Sequence, residues 1–244
     1  MTPRPVDATL RDRCLANLAA VRGRIAAACH RAGRSADEVR LIAVTKYVDT
    51  AITQAVAECG CLDLAESRPQ QLWEKATALA ALTPAVRWHL IGHLQRNKVR
   101  RTLPVVSLVQ TLDSERLLAA IESEARATGR TCDVLVEVNV SADPERSGAS
   151  LADVPALVSA ATRSPHVTLR GLMGMASHPD SPAADARRDF ARLRELRDRL
   201  MADVPADALR ELSMGMSGDY EAAVLEGSTM LRIGSALFEG LVES

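Results

Sequence analysis

Eight short apolar runs separated by helix-like segments constrain the architecture of this chain more than any single motif does. The runs are 39–46, 62–66, 87–92, 105–112, 132–140, 167–175, 209–216 and 230–238. Helix-like segments at 50–59, 68–81, 95–101, 114–128, 150–163, 183–203 and 219–226 lie between them. Several open on start signals, such as Asp49-Thr50 before Ala51 and Asp113-Ser114 before Glu115. Strict alternation of strand and helix requires parallel pairing through right-handed crossovers. At 244 residues the chain matches a single (β/α)8 TIM barrel, a fold of typically about 250 residues. An open doubly wound sheet is the alternative, but no Gly-rich fingerprint follows the first run. An extra amphipathic helix, from about Asp7 to Ala32, precedes the first strand. Leu10, Cys14, Leu18, Val21, Ile25 and Cys29 recur there at the 3.6-residue period, and Gly33 supplies the stop. Little chain follows Gly240, so this N-terminal helix is expected to complete the outer ring. No shift in composition marks a boundary, and residues 1–244 are expected to form one domain.

Composition narrows the function. Hydrophobic residues make up 47% of the chain but aromatic ones only 2%, so the core must rest on Ala, Leu and Val. A net charge of −1 leaves no basic footprint for nucleic acid, and so few rings offer no stacking platform for bases. No run approaches the roughly 18 apolar residues of a membrane span, and Met1-Thr2-Pro3-Arg4-Pro5 leads into a charged helix without a signal segment. Five scattered cysteines argue against a disulfide framework. A cytoplasmic location is therefore expected. Cys59 and Cys61 have the wrong spacing for a zinc knuckle and read as small core residues. His89 and His93 are four apart, but Gly92 and the strand pattern deny them helical placement, and no metal site is expected.

Lys46 closes the first apolar run. Ile42, Val44 and Lys46 share a face at the strand period of two, which sets an amine at the catalytic rim of a barrel. Such an amine can form an imine with a carbonyl compound. A solvated lysine opening a loop is the plain alternative. The last two strand-to-helix turns, Ser213-Met214-Gly215-Met216-Ser217-Gly218-Asp219 and Ile233-Gly234-Ser235, carry the glycines, hydroxyls and free N–H groups that suit an anion. In barrels, phosphate is frequently held by these two loops. Arg232 shares a face with Gly234 and should point inward, toward a pyridine nitrogen, into a salt bridge with a carboxylate such as Glu137 or Glu66, or both. An amine, an inward guanidinium and a phosphate cradle together suit pyridoxal 5′-phosphate (PLP).

The segments Leu41–Lys46, Trp88–Lys98, Glu137–Val140, Gly171–Met175, Leu212–Ser217 and Gly227–Gly234, in this order, resemble the pyridoxal phosphate homeostasis protein family. These are single barrels similar to the N-terminal domain of alanine racemase, and the resemblance covers nearly the whole chain. It implies that Lys46 carries PLP as a Schiff base and that Arg232 partners the pyridine nitrogen. It also implies that Ser217, Gly234 and Ser235 contact the phosphate and that Ile91, Met173 and Met175 pack near the ring. Where the family usually has Gly-Glu-Asn-Tyr, this chain reads Ala65-Glu66-Ser67-Arg68, so Ser67 replaces the asparagine that approaches the cofactor. The resemblance implies a monomer that holds PLP and hands it on, with PLP-requiring apoenzymes as transient partners. An amino-acid racemase is the alternative. It needs a second acid/base facing Lys46, and the tyrosines on offer are Tyr47, adjacent to the lysine, and Tyr220, expected to start a surface helix.

Overall fold

The computed structural model describes residues 7–141, 146–178 and 185–241. Asp7 caps the first helix, α1 (Ala8–Arg31), by accepting from the backbone N–H groups of Thr9 and Leu10. Its buried stripe is Cys14, Leu18, Val21, Ile25, Ala28 and Cys29, the predicted stripe with Ala28 added and Leu10 only half-buried. Strand and helix then alternate: β1 (Arg40–Val44), α2 (Thr50–Glu58), β2 (Asp63–Glu66), α3 (Pro69–Ala78), β3 (Arg87–Leu90), α4 (Val99–Thr102) and β4 (Leu108–Leu112). The second half continues with α5 (Glu115–Ala127), β5 (Cys132–Val138), α6 (Val154–Thr162), β6 (Val167–Gly174), α7 (Ala186–Leu200), β7 (Glu211–Ser213), α8 (Tyr220–Leu225) and β8 (Met230–Ile233). The strands close in the order β1 to β8, all parallel, and β8 returns to β1 with Ile42 opposite Arg232. Helix α1 packs on both α8 and α2, covering the seam after β8, where the described residues form no further helix. The fold is the expected (β/α)8 barrel.

Two apolar layers hold it. The larger joins the outward side chains of the strands to the helices, with Leu64, Trp88, Leu90, Leu172, Phe190 and Leu212 among them. The smaller fills the barrel with Ile42, Val44, Ala65, Leu108, Leu135, Met173 and Met230, flanked by Ile91. The period of two decides which residue joins which layer. Ala65 points in while Leu64 and Glu66 point out toward α3, and Met173 points in while Leu172 points out.

The strands are shorter than the apolar runs. The predicted runs 209–216 and 230–238 are regular strands only over Glu211–Ser213 and Met230–Ile233, although Met214 and Gly215 still exchange backbone hydrogen bonds with Met230 and Arg232. The predicted helix 95–101 is a 3₁₀ turn, Arg96–Lys98, running into the single helical turn of α4. The predicted helix 150–163 starts only at Val154, with Pro155 in its first turn, where the missing N–H costs nothing. Parts of the loops expected at Ser141–Ser150 and Ala176–Pro182, and residues 183–184, lie outside the described residues. One expectation is corrected: Tyr220 does start a helix, α8, but its side chain is not at the surface; it is 1% exposed, because α1 lies across it with Arg24 stacked on its ring.

Candidate functional site

A cavity of about 610 Å³ opens at the C-terminal rim of the barrel. Lys46, Ser67, Ile91, Met173, Met175, Ser217, Arg232, Gly234 and Ser235 all line it. Their convergence follows from the pleat. Lys46 extends the inward series Ile42 and Val44, Ser67 extends Asp63 and Ala65, and Ile91 extends His89. Gly234 likewise extends Met230 and Arg232. Each series ends one or two residues past its strand, so the last inward side chains ring the mouth. Tyr47, Val48, Met216, Gly218 and Phe238 also line it, and of these Val48 and Phe238 were not singled out from the sequence. Four methionines, Met173, Met175, Met214 and Met216, alternate along β6 and β7 and the turns beyond them. Met173 alone packs into the barrel core; Met214 points outward, and Met175 and Met216 face the cavity.

Arg232 is the buried cation of this site. Its guanidinium donates from Nη1 to Ser213 Oγ (2.7 Å) and from Nη2 to the Gly174 carbonyl (2.9 Å). Both acceptors are neutral. Burial lowers its pKa from 12.5 to about 10, while the negative charges of Asp219 and Glu137 act in the opposite sense, so it stays charged at neutral pH. The salt bridge to Glu137 or Glu66 considered from the sequence does not form. Glu137 instead accepts from Ser147 Oγ (2.5 Å), and burial raises its pKa. Glu66 faces outward and pairs with Lys75. These two bonds commit two of the five guanidinium N–H groups, and the residue itself lines the cavity.

Lys46 stands in the turn after β1, its Nζ 4.7 Å from the centroid of the exposed Tyr47 ring. The turn itself is clamped. Lys75 Nζ, reaching from α3, donates to the carbonyls of Thr45 (2.7 Å) and Val48 (2.8 Å) and to Glu66 Oε1 (2.6 Å). Thr45 Oγ1 donates to the same Glu66 oxygen at 2.7 Å. Opposite, the ends of β2 and β3 run so close that a Cβ on Gly92 would sit 2.1 Å from the Ser67 carbonyl oxygen. Only glycine allows that approach.

Ser217 ties the last two turns together, its Oγ accepting from the N–H groups of Gly234 and Ala236, each at 3.3 Å. Helix α8 is short, and Asp219 before it accepts from the Met216 N–H (2.6 Å). Anion binding here therefore falls to the two turns and their hydroxyls rather than to a long helix terminus. Among the described residues, no group of three His, Cys, Asp or Glu side chains is placed to hold a metal.

Residues 16–241 match the family model for the alanine racemase N-terminal domain. The pyridoxal phosphate homeostasis protein of Aquifex aeolicus is 37% identical over 221 residues, 91% of this chain and 95% of the relative. The chain belongs to the pyridoxal phosphate homeostasis protein family. Among solved structures, PipY of Synechococcus elongatus with PLP bound superposes with a TM-score of 0.80 at 31% identity, covering 92% of this chain and 99% of that one. A protein of Bifidobacterium adolescentis described only as unknown superposes at 0.88 with 36% identity, covering 96% and 98% of the two chains. The barrel and the family therefore agree.

Proposed function

We propose that this protein binds PLP through a covalent link to Lys46 and holds it for transfer to PLP-requiring apoenzymes, without catalytic turnover of its own. The observation that carries the reading is the pairing of a buried, cationic Arg232, held only by neutral acceptors, with Lys46 across one cavity. The residues fit the group. When bound, PLP supplies an aldehyde that condenses with a primary amine with loss of water, and a pyridine ring that can serve as an electron sink. Lys46 offers the amine from a clamped turn. Arg232 donates toward the pyridine nitrogen, leaving it unprotonated and the ring a poor sink for charge. Ser217, Gly234 and Ser235 hold the phosphate, Ile91, Met173 and Met175 pack against the ring, and Ser67 faces its hydroxyl. One PLP-binding domain spans the chain. It acts as a monomer in the cytoplasm, a compartment in which five free cysteines stay reduced.

The tyrosines support a carrier rather than a racemase. Tyr47 is 77% exposed beside Lys46, and Tyr220 is buried between the barrel and α1, so neither stands across the cavity from the amine. We expect the loaded protein to leave the α-hydrogen of L-alanine essentially unexchanged in deuterated water, followed by NMR. Exchange at rates typical of enzymes, on the order of 10 per second, would replace this reading with racemisation.

The phosphate assignment has its own test. Ser217→Ala with Ser235→Ala should weaken PLP far more than pyridoxal, because each charge-assisted hydrogen bond lost to phosphate costs roughly 1.5–3 kcal/mol. The two hydroxyls share one ligand, so their effects need not add. Equal weakening of both ligands, read by fluorescence titration, would put the phosphate elsewhere.

A further inference from the structure

A line of hydrogen bonds runs through the barrel from its N-terminal rim to Arg232. Arg87, which opens β3, donates to Asp63 through Nε (2.8 Å) and Nη2 (2.6 Å). His89 Nε2 lies 3.0 Å from Asp63 Oδ1, and His89 Nδ1 lies 3.0 Å from Gln110 Nε2. Ser213 Oγ donates to Gln110 Oε1 (2.6 Å) and accepts from Arg232 Nη1 (2.7 Å). Asp63, His89, Gln110, Ser213 and Arg232 come from β2, β3, β4, β7 and β8, and all are buried.

The chemistry of the two ends fixes the direction of every bond between them. A guanidinium only donates. Ser213 Oγ must therefore accept from Arg232, and its single proton goes to Gln110 Oε1. That turns the Gln110 amide nitrogen toward His89, whose Nδ1 accepts and whose proton is left on Nε2. Asp63, at the far end, is a carboxylate that accepts from His89 and Arg87. Burial alone would raise its pKa, but the hydrogen bonds from His89 and Arg87 outweigh burial and hold it well below the usual carboxylate range. The reversed Gln110 amide would need a proton on His89 Nδ1. It would also turn a donor toward Ser213, whose own proton would lose its acceptor.

We propose that Asp63, His89, Gln110 and Ser213 are positioning residues for the ligand site. They hold Ser213 as an acceptor and so dictate which N–H groups of Arg232 are committed and which face the cavity. None of the four lines the cavity. The apolar interior leaves Arg232 without a carboxylate at contact distance, and the ordered line links its charge to that of Asp63 through successive dipoles. This inference rests on the reading of Arg232 as the partner of the pyridine nitrogen.

The test has one arm without ligand and one with it. In the unliganded wild-type protein, NMR of ¹⁵N-labelled histidine should show the His89 proton on Nε2 with Nδ1 unprotonated. A proton on Nδ1 would overturn the ordering, whatever the protein binds. With PLP, Gln110→Leu and Ser213→Ala should each weaken binding about tenfold, the scale of one buried hydrogen bond. Pyridoxal should weaken by the same factor, since the ring and not the phosphate is affected, and the absorbance maximum of the bound ligand should move. Unchanged affinity and spectrum in both Gln110→Leu and Ser213→Ala would overturn the positioning role. Wild-type protein that binds no PLP would instead remove the reading beneath it, with the histidine measurement unaffected.

Discussion

Lys46→Ala should abolish the PLP adduct that borohydride fixes on the protein. Reduction traps only a C=N link to a primary amine, and the chain has three lysines, Lys46, Lys75 and Lys98. Lys75 spends its ammonium on three acceptors and is 6% exposed. Lys98 ends a 3₁₀ turn away from the cavity lining. Lys46 alone among them lines the cavity. Peptide mapping after reduction should therefore find one modified peptide in the wild type and none in the variant. The variant should still bind PLP more weakly, because the contacts proposed for Ser217, Gly234, Ser235 and Arg232 do not depend on the amine. An adduct that persists in Lys46→Ala, on Lys75 or Lys98, would overturn the assignment and with it the geometry proposed for the ring.

The barrel and most of its rim were legible in the sequence because one rule, the period of two, governs both. Once 39–46 is read as a strand with Ile42 and Val44 inward, Lys46 follows. The same count places Arg232 and Gly234 on one face. The period also separates two carboxylates considered for Arg232: Glu66 follows the inward Ala65 and so must face α3. What stayed hidden depends on neighbours distant in sequence. Tyr220 opens a helix with a charged residue after it and reads as surface, yet α1, some two hundred residues earlier, buries it. Gln110 and His89 read as isolated polar residues in apolar runs. Their roles appear only when five strands bring Asp63, Ser213 and Arg232 into line. Lys75 carried a local signal that charge concealed, for it lies on the face of α3 shared by Leu72 and Leu79, both buried. A lysine on the apolar face of a helix needs acceptors within the fold.

That lysine yields the largest expected effect on stability. Lys75→Met keeps the length and apolar stem of the side chain and removes the ammonium. The carbonyls of Thr45 and Val48 then lose a donor, and Glu66, fully buried, keeps only the Thr45 hydroxyl. The second carboxylate oxygen, Oε2, already has no hydrogen-bond partner among the described residues. Breaking a buried ion pair from one side typically costs about 3–5 kcal/mol, since the remaining charge is left uncompensated. For a chain of this size that corresponds to a fall in Tm of roughly 6–20 °C. Adding Glu66→Gln should recover part of the loss, because the stranded charge disappears while the bond from Thr45 remains possible. A double-mutant cycle on thermal or urea unfolding measures the coupling. Because Lys75 grips the backbone on both sides of Lys46, Lys75→Met should also slow covalent capture of PLP, followed by its absorbance, under conditions where the variant is fully folded. A variant as stable as the wild type and equally fast in capture would show that the turn holds its shape without the clamp. The amine's placement would then rest on the barrel alone.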